Sequence, residues 1–356
     1  MSTVAKPTNR MTYRFLGSTG LLVSKLSLGS YVTFDTQLDF EKSYALMETA
    51  FKHGVNFFDS AEAYADGQSE VFMGKIIKTG IERSLWNRED LVISTKIFFS
   101  AKNFAGLAGP NDQGLSRKHI IEGTKASLKR FDLDYVDLIF CHRQDPYTPM
   151  EETVRAMNYV IQQGWALYWG TSEWNADEIV EACEVADRLG LIRPEFDQTR
   201  YNILDRNRVD YNFVDLYKKY KYGVAAFYPL AGGVLTGKYS KGIPEGSRMS
   251  VPAFTNMLSN GLEEKTTKSL QLAEVAKEIG CSLPQLAIAW SVANENVSTC
   301  LMGASKIEQL EENLKSLEFV DKITPEIRAK IDAIADFKPA LPTIQPLVHQ
   351  LRQRWL

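Results

Sequence analysis

Four polar residues of complementary chemistry lie at or just beyond the ends of three short apolar stretches: Asp59, Tyr64, Lys96 and His142. The stretches are residues 55–58, 91–95 and 135–141. Each polar residue alone has an ordinary explanation, as a turn cap, a loop side chain or a satisfied core residue. In a parallel barrel, however, all strand carboxyl ends meet at one face, and that face carries the active site. Their recurrence at successive strand ends therefore predicts one catalytic site.

The types of these side chains indicate acid–base chemistry. A free tyrosine has a pKa of about 10, so it is a poor acid at neutral pH. A cation close to the phenol oxygen favours the phenolate and lowers that pKa. We expect Lys96 to supply the cation and Asp59 to keep it charged, so that Tyr64 serves as a general acid.

His142 completes this chemistry, because a histidine can donate a hydrogen bond to a carbonyl oxygen and orient the carbonyl group. Protonating an alkoxide as it forms is what carbonyl reduction by hydride requires. None of the four side chains supplies a hydride, so the sequence predicts a bound redox cofactor. The four histidines show no metal-ligand spacing, and we expect no metal site.

The second half of the chain contains a candidate phosphate site. Gly303 and Ser305 follow the last predicted strand, and Ser305 and Glu308 have the spacing of a capping box. A helix that begins there would offer free N–H groups to phosphate. Lys238 and Arg248, in the glycine-rich loop after the seventh strand, are placed to close over it. The alternative is that Ser305 only caps the helix and that both basic residues are solvated.

Alternating strands and helices must position these residues, and they predict a single (β/α)8 TIM barrel with extra C-terminal helices. The predicted strands are 26–29, 55–59, 91–95, 135–141, 166–170, 195–198, 223–228 and 297–302. The predicted helices are 40–53, 69–78, 116–130, 148–164, 175–189, 209–220, 263–279, 282–293, 305–317 and one that starts at 324. A hairpin of residues 13–16 and 21–23 precedes the barrel, and we expect it to plug the bottom.

A doubly wound dinucleotide fold is the alternative architecture, and it requires G-x-G-x-x-G after the first strand. No such motif exists there, and the glycines at 232, 233 and 237 have the wrong spacing and follow the seventh strand. We therefore divide the chain into a short tail (1–12), one barrel domain (13–337) and a C-terminal tail (338–356).

Composition limits the partners and the compartment. The 356 residues carry a formal net charge of -3, so nothing indicates nucleic-acid or anionic-membrane binding. Residues 1–10 lack the apolar core of a secretory signal, and no apolar run approaches the length of a membrane span. The four cysteines form no C-x-x-C and are expected to be free thiols in a reducing cytoplasm.

Several longer motifs resemble those of one known family. They are residues 58–64, 94–96, 114–123, 148–157, 229–231 and 303–305, and the match extends from about residue 13 to residue 337. The chain resembles the aldo-keto reductase superfamily, and within it the branch that contains the voltage-gated potassium channel β-subunits.

The resemblance implies that Asp59, Tyr64, Lys96 and His142 are the catalytic residues. It also implies NADPH as the cofactor, bound in extended form without a Rossmann motif. Its implied contacts are Ser30, Tyr31, Gln37, Asp59, Ser172, Gln198, Phe227, Tyr228, Pro229, Leu230, Ala231, Lys238, Arg248, Gly303, Ser305, Gln309, Glu312 and Asn313. Within this set Ser172 and Gln198 would hold the carboxamide, 227–231 and Lys238 would follow the pyrophosphate, and Arg248 onward would enclose the adenosine end.

The chain departs from the channel β-subunits at a few of these positions. It has His142 where they usually have Asn, and it has Glu173 where they have Arg. It has Tyr31 and Phe227 where they often have Trp.

Two interpretations of different class therefore stay open. The first is an NADPH-dependent reductase of small aldehydes and ketones. The second is an NADPH-binding regulatory subunit of a voltage-gated potassium channel with slow or incidental catalysis, tetrameric by resemblance and without membrane insertion of its own.

Overall fold

The structure is a computed structural model that describes residues 11–31, 33–34, 37–102, 106–245, 247, 260–340 and 346–355. Eight parallel strands close into a barrel in the order β10-β3-β4-β5-β6-β7-β8-β9. The barrel strands are β3 (Leu26–Gly29), β4 (Phe57–Asp59), β5 (Val92–Ile97), β6 (Val136–Cys141), β7 (Ala166–Ser172), β8 (Phe196–Arg200), β9 (Gly223–Phe227) and β10 (Val297–Met302). The predicted (β/α)8 TIM barrel is confirmed.

Helices surround the barrel and connect its strands. They are α1 (Phe40–Lys52), α2 (Gln68–Glu82), α3 (Arg117–Phe131), α4 (Met150–Gln162), α5 (Ala176–Leu189), α6 (Val214–Tyr220), α7 (Leu262–Ile279), α8 (Leu283–Val292), α9 (Ile307–Leu314), α10 (Pro325–Ala335) and α11 (Pro346–Gln353). Side-chain caps fix several of their starts, for example Ser116, whose hydroxyl accepts the His119 N–H. No helix in the described ranges is long and apolar enough to cross a membrane.

An antiparallel hairpin of β1 (Tyr13–Phe15) and β2 (Leu22–Ser24) precedes the barrel. Its fully buried Leu16 and Val23 pack in one cluster with side chains from the barrel interior, among them Phe57, Phe140 and Phe196. Apolar side chains thus fill the barrel from the hairpin inward, and the opposite face, where the strands end, keeps the polar residues.

The strands lie within two residues of their predicted bounds, whereas four segments differ from the prediction. The helix predicted at 69–78 extends to Glu82. Helix 209–220 is a π-type turn, Asn207–Asn212, followed by the shorter α6. Helix 305–317 begins only at Ile307 and gives way to a 3₁₀ segment, Lys315–Lys322. The segment predicted as a C-terminal tail contains α11, whose Arg352 donates to the Gln113 carbonyl at 2.9 Å.

Candidate active site

The ends of three adjacent strands bring the four predicted catalytic residues together. Asp59 ends β4, Lys96 is the fifth residue of β5, and His142 follows β6. The parallel register pairs Asp59 with Ser94 and Lys96 with Phe140, which places these ends at one level of the barrel. Tyr64 begins a tight turn in the loop after β4. The sequence therefore identified residues that are neighbours in space.

Lys96 lies at the centre of this group and is fully buried. Its Nζ donates to Asp59 Oδ2 at 2.6 Å, to the Ser60 carbonyl at 2.7 Å and to the Tyr64 hydroxyl at 3.2 Å. A buried ammonium group is stable only with such partners. All three donors of the lysine are used, and one of them contacts the phenol that the sequence predicts as the acid.

Asp59 is held from both sides of its carboxylate. Oδ2 accepts from Lys96, while Oδ1 accepts from the Ser94 hydroxyl at 2.7 Å and from Gln198 Nε2 at 2.8 Å. These donors come from β5 and from β8 across the barrel. The Asp59 carboxylate, and with it the closest contact of the Lys96 ammonium group, is thereby held by barrel strands.

His142 packs between two aromatic rings. Its ring centroid lies 4.8 Å from that of Phe99 and 5.9 Å from that of Tyr64, both in edge-to-face arrangements. Its Nδ1 is buried and finds no hydrogen-bond partner among the described residues. Burial, and then the charges of Arg143 and Lys96, hold the pKa of His142 well below its usual range. The imidazole is therefore neutral at physiological pH.

The expected lowering of the Tyr64 pKa is wrong for this structure. Burial raises the pKa of Tyr64 well above its usual value, Asp59 and Tyr31 raise it further, and Arg143 lowers it. The physical reason is that burial removes the water that would solvate a phenolate, and the nearby Asp59 carboxylate disfavours a second negative charge. Tyr64 is thus fully protonated at neutral pH and can act as a proton donor.

Arg143 is a site residue that the motif reasoning missed. Its guanidinium group lies 5.6 Å from the centre of the Phe99 ring, and its Nη1 lies 3.5 Å from the Ser172 hydroxyl. Its charge lowers the pKa values of both Tyr64 and His142. The same pattern that selected Lys96, a charged residue just past an apolar strand, would have found it.

Glu173 occupies a position where the resemblance predicts arginine, and its negative charge is balanced by neighbouring arginines. Its carboxylate lies 3.1 Å from Arg208 and 3.9 Å from Arg200, and it accepts the Arg200 backbone N–H at 2.7 Å. Burial raises the pKa of Glu173, but Arg208, Arg200 and Arg143 together bring it to about 2. The carboxylate is therefore ionised and surrounded by positive charge, so it does not make this edge of the barrel electronegative.

The remaining residues predicted to contact the cofactor near the barrel centre have mixed exposure. Ser30 is buried and accepts a hydrogen bond from Ser69 at 2.7 Å. Tyr31 is 41% exposed and packs on Tyr64 at 4.8 Å, and Gln37 is exposed. Ser172 is buried and donates to the carbonyl of Gln198 at 2.9 Å. The two residues predicted to hold a carboxamide are thus adjacent.

The loop after β9 turns sharply at several positions. Tyr228 and Ala231 have φ values of 67° and 48°, and Gly233 has 97°. An added Cβ at Gly233 would lie 2.5 Å from Cε of Lys238, so this glycine allows the lysine to fold back over the turn. Phe227, Pro229 and Leu230 complete the loop, half-buried or buried. Arg248, the residue predicted to contact the 2′-phosphate, lies outside the described residues.

The predicted capping box at Ser305 is wrong. The helix begins two residues later, at Ile307, and Ser305 donates through its N–H and its hydroxyl to Gln309 Oε1 at 3.2 and 3.3 Å. Gln309 therefore folds back onto Ser305 in place of Glu308. Around Gly303 no atom of the described residues lies within 4 Å of an added Cβ. That open space next to the Ser305 turn is compatible with an extended ligand.

The last two predicted contacts of the adenosine end differ from each other. Glu312 is exposed and accepts a hydrogen bond from the Ser282 hydroxyl at 2.7 Å. Asn313 is buried, at 5% exposure. The Glu312 carboxylate is thereby tied to the start of α8, and a cofactor contact at this position would compete with that bond.

Comparison with known proteins identifies relatives along nearly the whole chain. The sequence profile of the Aldo/keto reductase family matches residues 25–336. A protein of Arabidopsis thaliana named "Probable voltage-gated potassium channel subunit beta" is 49% identical over 335 residues, which cover 93% of this chain and 99% of that protein. A protein of Oryza sativa subsp. japonica with the same name is 48% identical over 332 residues, covering 92% of this chain and 98% of that protein.

Proposed function

The chain belongs to the aldo/keto reductase family, and from that premise we propose that it is an NADPH-dependent reductase of aldehyde and ketone carbonyls. Family membership supports an oxidoreductase with a nicotinamide cofactor. The observation that carries the finer proposal is the fully buried Lys96, whose ammonium group contacts both the Asp59 carboxylate and the Tyr64 hydroxyl. The raised pKa keeps the proton on Tyr64 until negative charge develops on a bound carbonyl oxygen, and Lys96 is placed to stabilise the phenolate that then forms.

In this proposal Tyr64 is the general acid. NADPH supplies the hydride when it is bound. Tyr64 donates its phenolic proton to the carbonyl oxygen as negative charge develops there. Lys96 then donates to an oxygen that is becoming a phenolate, and such charge-assisted hydrogen bonds are about twice as strong as neutral ones. Asp59 keeps the lysine in place throughout.

His142 orients the carbonyl as a neutral donor and does not transfer the proton itself. Its pKa is held well below the usual range by burial, Arg143 and Lys96. A proton on the buried Nδ1 would find no acceptor among the described residues, so we assign the proton to Nε2. That N–H group donates to the same carbonyl oxygen that Tyr64 protonates.

We assign NADPH to the carboxyl ends of β7 to β10 and the loops that follow them. Ser172 and Gln198 lie next to each other for the carboxamide, the turn at 227–231 and Lys238 are available for the pyrophosphate, and the open space at Gly303 leads to Ser305. The residues that enclose the adenosine end in this proposal are Arg248, Ser305, Gln309, Glu312 and Asn313. The positive charges around Glu173 also favour an anionic ligand.

A substrate screen tests the proposed activity. The purified protein is mixed with NADPH and a panel of aldehydes, ketones and quinones, and the loss of NADPH absorbance is followed. We expect at least one carbonyl to be reduced at about 1 s⁻¹ or faster, the low end of usual turnover numbers. The absence of turnover across the panel, with the cofactor shown to bind, contradicts the proposal.

The names of the two plant relatives favour a second candidate function, a subunit of a voltage-gated potassium channel. In that case NADPH would be retained tightly and carbonyl turnover would be orders of magnitude below about 1 s⁻¹. Sedimentation of the purified protein tests the accompanying expectation of a homotetramer. The cysteines at 141, 183, 281 and 300 are all free, as a reducing compartment would keep them, and we propose the cytoplasm for either function.

A further inference from the structure

A buried glutamate lies in the loop between Asp59 and Tyr64. Glu62 is only 2% exposed, and its Oε1 accepts the backbone N–H of Phe98 at 2.7 Å and that of Ser100 at 3.0 Å. The ring nitrogen Nε2 of His119 lies 3.2 Å from the same oxygen. The carboxylate therefore connects the loop after β4 to the loop after β5 and to α3.

These two loops position Tyr64 and His142, the two side chains that must lie close to the same carbonyl oxygen. The loop after β4 contains Tyr64, and its Glu62 N–H donates to the Lys96 carbonyl at 3.2 Å. The loop after β5 contains Phe99, whose ring packs against His142 at 4.8 Å. The backbone N–H of His142 donates to the Ile97 carbonyl at 3.0 Å, one residue before Phe98. A shift of residues 98–100 would therefore move the surface against which His142 rests.

We propose that Glu62 is a positioning residue that fixes Tyr64 and His142 relative to each other by holding residues 98–100 against the Tyr64 loop. It touches neither a reacting atom nor the predicted cofactor contacts. The inference concerns the geometry of the proposed reductase site, so its catalytic consequence rests on that function.

The surroundings of Glu62 suit a fixed anion. Burial alone would raise the pKa of Glu62, but the His119 ring and the N–H groups of Phe98 and Ser100 bring it below its usual value. A Cβ added at Gly123 would lie 3.2 Å from Oε2, so the glycine lets α3 approach the carboxylate. Glu62 is ionised throughout the neutral range, where it accepts hydrogen bonds and exchanges no proton.

Glu70 provides a matched control in the same part of the chain. It is also buried, but it is held by side chains and not by backbone N–H groups: by the Thr95 hydroxyl and by Arg130, the latter at 2.6 Å. It makes no hydrogen bond to residues 98–100. Removing either carboxylate destabilises the protein. Glu70 influences the site through its charge, which raises the pKa of Lys96, whereas Glu62 holds residues 98–100 in place. The loss of Glu62 should therefore lower kcat more, and it alone should move the His142 signals.

The test compares four variants: Glu62→Ala, Glu62→Gln, Glu70→Ala and Glu70→Gln. We expect Glu62→Ala to lower kcat about 10- to 100-fold, since a misplacement of about 1 Å can cost 100-fold. Glu62→Gln keeps an acceptor for both N–H groups and should regain most of that loss. The affinity for NADPH should change by less than about threefold, because a lost transition-state interaction lowers kcat and leaves ground-state binding in place. The thermal midpoints of both Ala variants should fall.

A second readout is independent of turnover. The chain has four histidines, so selective isotope labelling of the imidazoles gives few signals. The His142 resonances should move in Glu62→Ala and stay in Glu70→Ala. Unmoved His142 signals, unchanged kcat in Glu62→Ala, or an equal loss of kcat in Glu70→Ala would overturn the inference. If the wild type reduces no carbonyl, the proposed function fails, and the His142 signals still decide the role of Glu62.

Discussion

Replacing Lys96 by methionine removes the central contact of the site while filling nearly the same volume. The wild-type ammonium group makes three hydrogen bonds, to Asp59 at 2.6 Å, to the Ser60 carbonyl at 2.7 Å and to Tyr64 at 3.2 Å. The variant leaves the buried Asp59 carboxylate with its Ser94 and Gln198 donors but without a counter-charge. We therefore expect effects on both stability and turnover, with different causes.

The stability effect follows from the burial of the pair, since Lys96 is fully buried and Asp59 is 2% exposed. Removing one partner of a buried ion pair typically costs about 3–5 kcal/mol. The turnover effect follows from the lost donor to Tyr64. A hydrogen bond to a charged group contributes about 1.5–3 kcal/mol. At about 1.36 kcal/mol per tenfold change in rate, Lys96→Met should lower kcat by about 10- to 150-fold.

The double variant Lys96→Met with Asp59→Asn separates the two effects. Replacing a whole buried pair by uncharged groups is often nearly neutral, so the double variant should recover most of the unfolding free energy. It lacks the donor to Tyr64, so its turnover should stay low. Chemical unfolding measures the first quantity, and NADPH oxidation with an aldehyde measures the second. Recovery of turnover in the double variant, or wild-type turnover in Lys96→Met, would refute the reasoning.

Three further predictions concern pH and cofactor choice. The pH profile of kcat/KM should show no limb from His142 or Tyr64 between about 6.5 and 10, because the pKa of His142 is shifted below that window and that of Tyr64 above it. A limb that moves with the His142 titration contradicts the first shift, and a limb that is lost in Tyr64→Phe contradicts the second. Arg143→Gln should raise the pKa of His142, because one neighbouring charge is lost, and an imidazole titration with an unchanged midpoint would contradict this. Arg248→Ala should lower the affinity for NADPH about 10- to 100-fold and leave the affinity for NADH nearly unchanged, because a charge-assisted hydrogen bond to the 2′-phosphate is lost. Titration of both cofactors measures the two affinities, and equal losses would exclude Arg248 as the residue that contacts the 2′-phosphate.

The sequence predicted the architecture because strand ends and helix caps are local patterns. The runs that end at Asp59, Lys96 and His142 are short and apolar, and the structure brings Lys96 into contact with Asp59 and places the His142 ring next to that of Tyr64. The direction of the Tyr64 pKa shift was not accessible in the same way. It depends on how much water burial removes and on how strongly the nearby Asp59 carboxylate disfavours a second negative charge, and both are properties of the folded site.

Glu173 illustrates the same limit. The resemblance has arginine at this position, and a glutamate there adds a negative charge. The fold surrounds that charge with Arg200 and Arg208, which follow β7 by many residues in sequence. Ser305 shows the opposite case: its local pattern with Glu308 matched a capping box, and Gln309 took the hydrogen bonds instead. Local sequence patterns locate helices and strands well. Which of two neighbouring side chains forms a given hydrogen bond is decided only in the folded structure.

The role of Tyr64 as proton donor is tested most directly by the turnover of Tyr64→Phe with NADPH and an aldehyde that the wild type reduces. The substitution removes only the hydroxyl that lies 3.2 Å from Lys96 Nζ. We predict that NADPH binds as before and that kcat falls by about 10²- to 10⁴-fold, the usual contribution of general acid catalysis. Turnover within a few fold of the wild type, with the same cofactor affinity, would contradict Tyr64 as the acid.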